Sequence, residues 1–267
     1  MKLPVPIDTA VLLAAGRGKR LAPWTDRTPK PLLPHRGQAT LDRLLDSLER
    51  AGISRVVLVT HHLADQIKAY TVRRRAVSSQ ELICIRQDNL FGTAHAIECV
   101  MRARPEFLVT PFVLSATDYL LPLPFYRELL RFHVGHDAEL SVSLKPIMGS
   151  VEARSSVRFA RSEPGARESL LTLSTERRDR EVIGSLDIDE IVEKPVAGSA
   201  PSGIAANLCF VLPPELLEHV PAVEMSVRGE REIQDAINAW LAAGGRARGL
   251  LGAAPLEWQP PVAAKQA

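Results

Sequence analysis

Residues 11–34, VLLAAGRGKRLAPWTDRTPKPLLP, hold the side chains of this sequence best placed to do chemistry. An apolar run, 11–14, empties into a turn with Gly16 and Gly18, interleaved with Arg17, Lys19 and Arg20. Glycine lets the backbone turn tightly and approach a ligand with no Cβ in the way. Backbone N–H groups offered at such a turn, backed by cations, suit a polyphosphate. Lys30 follows between Pro29 and Pro31, which restrict the backbone, so its stem leaves a stiff segment. A fixed cation beside a cationic glycine loop suits charge that develops between phosphates. Two other glycine motifs fail by position. A Walker A loop needs glycine where Leu13 stands and Ser or Thr where Arg20 stands. A dinucleotide fingerprint needs Gly or Ala where Leu21 stands. Taken alone, the turn also reads as an ordinary strand-to-loop junction with surface cations.

The elements that must position this loop follow from periodicity. Strand patterns at 11–14, 55–60, 81–86 and 112–116 alternate with helical patterns at 41–51, 63–70 and 93–103. In the first helix Leu41, Leu44, Leu45 and Leu48 fall on one face and Gly52 stands at its end. Such alternation predicts a largely parallel sheet with helices on both faces. Beyond residue 122 the expected elements are helix 124–133, strands 140–145, 188–193 and 204–212, and helix 231–243 closed by Gly244–Gly245. The polar stretch 162–181 predicts a hairpin or loop, and the Pro- and Ala-rich tail from 255 predicts fraying.

Composition bounds the rest. An apolar fraction of 46% is that of a globular protein, and a net charge of +2 gives no argument for nucleic acid. The run Arg73–Arg75 reads as a solvated helix end. Cys84, Cys99 and Cys209 are scattered, form no C-x-x-C pair, and read as small buried hydrophobes. Neither a signal peptide nor a membrane span is evident, so cytoplasm is the expected location and no membrane partner is expected.

The opening segment resembles the signature of sugar-1-phosphate nucleotidyltransferases, G-x-G-[TS]-R-[LM]-x-P-x-T-x-x-x-P-K. It matches at Gly16, Gly18, Arg20, Leu21, Pro23, Thr25, Pro29 and Lys30 and departs at Lys19. Residues 86–97, RQDNLFGTAHAI, resemble the family's base-reading stretch; 113–118, VLSATD, its metal-binding aspartate; and 191–195, IVEKP, its E-K-P motif. Residues 202–215 and 229–238 are similar to bacterial UTP–glucose-1-phosphate uridylyltransferases in particular.

The resemblance implies an α/β, Rossmann-like mixed and mostly parallel sheet of the nucleotide-diphospho-sugar transferase (GT-A-like) type, with a small sugar-binding lobe. One domain over 1–267 is expected, with a nucleotide-binding half near 8–121 and a sugar-binding half near 122–254. The implied reaction joins a nucleoside triphosphate, UTP before dTTP, to a sugar 1-phosphate, glucose 1-phosphate first, and releases pyrophosphate. Leu13, Ala14, Ala15, Gly16 and Gly18 would hold the triphosphate, with Arg20 and Lys30 catalytic. Gln87, Gly92 and Thr93 would bind the nucleotide, and the Gln87 amide can both donate to and accept from a pyrimidine edge. His95 reads either as a ligand contact or as a structural histidine opening its helix. Asp118 would hold Mg²⁺, which needs few protein carboxylates. Glu193, Lys194 and Asn207 would hold the sugar phosphate, and a dimer or tetramer is implied.

Leu208 stands where the family has glycine beside the sugar. No D-x-G element with a second metal-ligating aspartate follows Trp258; Asp235 or Glu230 could substitute, or one ligand could suffice. These departures keep open a non-catalytic sugar-nucleotide-binding protein of the same fold. A cytidylyltransferase of the isoprenoid or molybdopterin kind shares A-A-G-x-G-x-R, but the GTAHA and EKP segments weigh against it.

Overall fold

The computed structural model describes residues 6–120, 122–147, 155–159, 185–252 and 256–257. The expected hairpin or loop at 162–181 lies outside them, as does all of the tail except 256–257. In chain order the strands are β1 (Thr9–Ala14), β2 (Pro34–His35), β3 (Gln38–Ala39), β4 (Arg55–Thr60), β5 (Glu81–Arg86), β6 (Phe112–Ala116), β7 (Tyr119–Leu120), β8 (Leu140–Pro146), β9 (Ser155–Phe159), β10 (Ser185–Glu193), β11 (Ile204–Leu212), β12 (Ala247–Leu251) and β13 (Leu256–Glu257). The α-helices are α1 (Trp24–Arg27), α2 (Thr40–Arg50), α3 (Ala64–Arg75), α4 (Thr93–Ala103), α5 (Phe125–Gly135) and α6 (Ile233–Ala242).

One nine-stranded mixed sheet, ordered β5-β4-β1-β6-β11-β8-β12-β10-β9, carries the fold. Pairing is parallel from β5 to β6 and again between β8 and β12. It is antiparallel where β11 meets β6 and β8, and where β10 meets β12 and β9. Strand β9 pairs with β11 as well as β10, so the C-terminal part of the sheet curls back on itself. The parallel strands are therefore concentrated in the N-terminal half, where strand–helix alternation was strongest.

Alternation along each strand builds two cores. In β1, Ala10, Leu12 and Ala14 face one side and Val11 the other. The first side is covered by Leu41, Leu44, Leu45 and Leu48 of α2, Ile67 of α3, and Tyr126, Leu129 and Phe132 of α5. The second is covered by Ile97 and Val100 of α4 and by Ile233, Ile237 and Trp240 of α6. Helices thus stand on both faces, as the sequence pattern predicts. No helix among the described residues is long and apolar enough to cross a membrane.

One sequence reading changes here. Arg74 is not solvated: its guanidinium lies 2.5 Å from Asp46 and 3.7 Å from Glu49, both on α2, and ties α3 to that helix. Arg73 and Arg75 are exposed, though the Arg75 guanidinium donates to the Leu82 carbonyl.

His133, buried on α5, bonds through Nδ1 to Ser141 Oγ at 2.9 Å. Burial pushes its pKa from 6.5 down to about 4, against a smaller upward pull from Asp137. Between those values the unfolded chain holds the extra proton, so stability falls as pH falls from 6.5 and the loss is complete near pH 4. The full loss is on the order of 3 kcal/mol. His133→Asn keeps a partner for Ser141 but cannot titrate. Its denaturant midpoint is expected to vary less than the parent's across that window, and an unchanged acid slope would contradict the assignment.

Candidate active site

The carboxyl ends of β1, β5 and β6 open onto a cavity of about 710 Å³. Open α/β sheets place ligands at this edge. Residues 13–21 line it after β1, with Asp118 and its partner Lys30 toward β6 and Gln87, Gly92 and Thr93 toward β5. Eleven of the residues singled out from sequence meet here: Leu13, Ala14, Ala15, Gly16, Gly18, Arg20, Lys30, Gln87, Gly92, Thr93 and Asp118.

The loop after β1 explains its own sequence. Gly18 has φ of 62°, a left-handed conformation that favours glycine. A Cβ there would sit 2.8 Å from Thr25 Cγ2, and Thr25 Oγ1 donates to the Gly18 carbonyl at 3.0 Å. Gly18 and Thr25 are therefore a packing pair. Gly16 differs: apart from its chain neighbours, no atom of the described residues lies within 4 Å of where its Cβ would be. The fold leaves Gly16 free, and close approach of a ligand is what a side chain there would obstruct. Arg17, Lys19 and Arg20 line the same cavity with exposed side chains.

Pro29 is extended and a short 3-10 turn, Lys30–Leu32, follows. This aims Lys30 at the end of β6, where Nζ lies 2.6 Å from Asp118 Oδ2. Thr117 Oγ1 donates to the Leu13 carbonyl at 2.9 Å, fastening the Asp118 turn to β1. Both ionic groups keep access to the cavity, with side chains 21% and 26% exposed.

Toward β5, Gln87 is buried, and its Nε2 donates to the Gly92 carbonyl at 3.0 Å and to His95 Nδ1 at 3.1 Å. Gly92 has φ of 96°, and a Cβ on it would lie 2.4 Å from the Arg231 carbonyl oxygen. Close approach at Gly92, expected from sequence to serve base or sugar, is thus made to the Arg231 backbone. Arg231 N–H donates to Phe91 O at 2.7 Å, and Ala94 N–H donates to Arg231 O at 2.9 Å. The Arg231 guanidinium grips both carboxylate oxygens of Glu98 at 2.8 Å and holds that carboxyl below its usual pKa. Thr93 Oγ1 accepts from the Ile233 N–H at 2.8 Å, so the cavity wall also fixes the start of α6. Gly92→Ala is expected to cost on the order of 3 kcal/mol, because overlap with backbone adds to the left-handed strain. A denaturation midpoint equal to the parent's would contradict this packing role.

Three expected residues are not in the cavity wall. Glu193 ends β10 and accepts from Ser155 Oγ and, at 3.1 Å, from Gln234 Nε2. Lys194, at φ 47°, pairs with Glu193 at 3.1 Å. Asn207 is 2% exposed and donates to Ser143 Oγ at 2.9 Å. Its neighbour Leu208 does line the cavity, at a register shift of β11, with its N–H on Tyr119 Oη at 3.1 Å.

Of the two substitute metal ligands, Glu230 lines this cavity and Asp235 lines a separate hollow with His219 and Glu224. Burial pushes the Asp235 carboxyl up, helped by Glu232. Among the described residues no group of three or more His, Cys, Asp or Glu could cage a metal. Asp118, in the cavity that Glu230 also lines, suits a cation whose remaining positions are filled by phosphate oxygens and water, which is how Mg²⁺ is usually held.

The nucleotidyl transferase family model matches residues 9–254. The chain belongs to that family. The Bacillus subtilis UTP–glucose-1-phosphate uridylyltransferase is 25% identical to this nucleotidyl transferase, covering 86% of the chain and 79% of the relative. The mannose-1-phosphate guanylyltransferase catalytic subunit beta of Drosophila pseudoobscura pseudoobscura is 31% identical, over 49% of this chain. That match spans only 34% of the relative's length. A UDP-glucose pyrophosphorylase solved with UDP-glucose superposes with a TM-score of 0.75, covering 95% of this chain and 93% of its own. At 19% identity that likeness speaks to the fold. The site is also braced by residues that lie inside matched segments but were not singled out from the sequence. Thr117 and Arg231 are two, and their partners lie 104 and more than 130 residues away, beyond any local pattern.

Proposed function

We propose that this nucleotidyl transferase couples UTP to a sugar 1-phosphate, glucose 1-phosphate first, giving the nucleotide sugar and pyrophosphate. The observation that carries the reading is the Lys30–Asp118 pair, set 2.6 Å apart in the cavity that the glycine loop and Gln87 also line. A cation and a carboxylate that share one cavity with a glycine loop and a base-sized amide suit a triphosphate that reacts at its α-phosphorus. An oxygen of the sugar phosphate attacks that phosphorus in line. The new P–O bond forms as the bond to the bridging oxygen breaks, and pyrophosphate leaves with the electron pair. The attacking oxygen is already ionised, so no general base is needed, and the protein's work is positioning and charge neutralisation.

The loop at 14–18 offers its backbone to the triphosphate, and Arg20 with Lys30 offsets charge on the departing pyrophosphate. Asp118 would hold Mg²⁺, and Glu230 lines the same cavity. Mg²⁺, when bound, neutralises phosphate charge and draws the two anions together. Gln87 reads the base. Uracil and thymine present the same edge to an amide, so dTTP belongs in the same test. Glu193 and Lys194 would hold the sugar phosphate from outside the cavity lining, where they pair with each other at 3.1 Å.

Pyrophosphate release from UTP, dTTP, CTP, GTP and ATP against several sugar 1-phosphates tests this reading. Turnover is expected with UTP, with dTTP weaker or equal, and only with sugar 1-phosphate present. Nucleotide binding with no release at any Mg²⁺ concentration would point to a binding protein instead.

A further inference from the structure

The motif residue that the proposed chemistry leaves without a task is His95. It lies in the first turn of α4, directly behind Gln87, and neither lines the cavity nor simply fills the core. Its Nδ1 stands 3.1 Å from Gln87 Nε2, its Nε2 stands 3.9 Å from Cys99 Sγ one turn on, and its ring packs against Phe91 at 5.4 Å.

The donor and acceptor roles in this cluster follow from chemistry. The Gly92 carbonyl can only accept, so the Gln87 atom facing it at 3.0 Å is the NH₂ group. That amide hydrogen-bonds to His95 as well, so Nδ1 accepts and the neutral ring carries its proton on Nε2, toward Cys99. Gly92 cannot drift, because its backbone is pressed against Arg231. Both amide hydrogens of Gln87 are therefore spent inside the protein. Its Oε1 makes no hydrogen bond among the described residues, and Gln87 lines the cavity.

We propose that His95 is a positioning residue for base selection: it holds the Gln87 amide so that a lone acceptor faces the base, favouring a ring N–H over a ring nitrogen lone pair. Uracil and thymine carry N3–H; cytosine carries a lone pair at N3, which would meet Oε1 as two acceptors. A flipped amide would suit cytosine, and His95 Nδ1 with Gly92 O opposes that flip. Guanine also offers a ring donor, so the selection is read within the pyrimidine pair, where size is constant. The inference rests on the nucleotide site proposed above and extends it to a residue behind that site.

The test is calorimetric binding of UTP and CTP with Mg²⁺ to the parent chain, His95→Ala and His95→Asn. An Asn Oδ1 can accept where Nδ1 did. The parent is expected to prefer UTP by about tenfold or more. His95→Ala is expected to bring the ratio within about threefold, chiefly by admitting CTP, and His95→Asn to restore most of it. His95→Leu, which keeps volume without an acceptor, replaces the alanine variant if that one does not fold. Equal weakening of both nucleotides in the alanine or leucine variant would overturn the proposal, as would an asparagine variant behaving like alanine. No UTP preference in the parent would overturn it too. Selective UTP binding without pyrophosphate release would uphold this inference and sink the proposed reaction. Release with no UTP–CTP preference would do the reverse, and binding of neither nucleotide overturns both.

Discussion

Asp118→Asn is expected to lower pyrophosphate release by about 10²–10³-fold while leaving the thermal midpoint near the parent's. Asparagine keeps the size of the side chain and can still accept from Lys30, so the turn after β6 should hold. What it loses is the charge needed to hold a hard cation. The carboxylate is 26% exposed and its ion pair is with Lys30, so little stability depends on it. Excess Mg²⁺ is not expected to restore turnover. A variant with near-normal kcat at ordinary Mg²⁺ would remove Asp118 from the metal site and leave Glu230 as the cavity carboxylate to examine.

Lys30→Met is expected to have an effect of similar size, about 10²–10³-fold in kcat/KM, by removing a fixed cation from the phosphate end of the cavity. Methionine keeps most of the stem that leaves the Pro29–Pro31 segment, which separates loss of charge from loss of shape. Lys30 and Asp118 share one contact at 2.6 Å, so their effects should not be independent. The double variant Lys30→Met with Asp118→Asn is expected to lose less than the product of the single losses. Multiplied losses would mean that the pair seen in the structure has no part in the reaction.

Much of this arrangement was legible in the sequence, for identifiable reasons. Glycines at 16 and 18 and the carboxylate after β6 are local signals, each within a few residues of the strand that carries it, and Lys30 is marked by its flanking prolines. The alternation of strands and helices to residue 116 is a local signal too, and the described elements follow it closely. What sequence could not show is contact across the chain. Gly92 looked like a ligand-facing glycine, yet its Cβ position is taken by Arg231, which lies 139 positions later. Arg74 looked solvated because the three acids around it, Asp42, Asp46 and Glu49, come from the previous helix. His95 looked like either a ligand contact or a plain structural residue. Its bond to Gln87 places it between the two, a distinction that depends on one 3.1 Å contact and leaves no trace in spacing. Glu193 and Lys194 matched a motif, and a motif match does not say how far a side chain stands from the cavity.

The central claim is transfer at the α-phosphorus. UTP labelled separately at its α- and γ-phosphates, incubated with glucose 1-phosphate, Mg²⁺ and the protein, tests it directly. α-Label is expected in the nucleotide sugar and γ-label in pyrophosphate, in equal amounts. γ-Label on the sugar or in free phosphate, with α-label left in UDP, would contradict it.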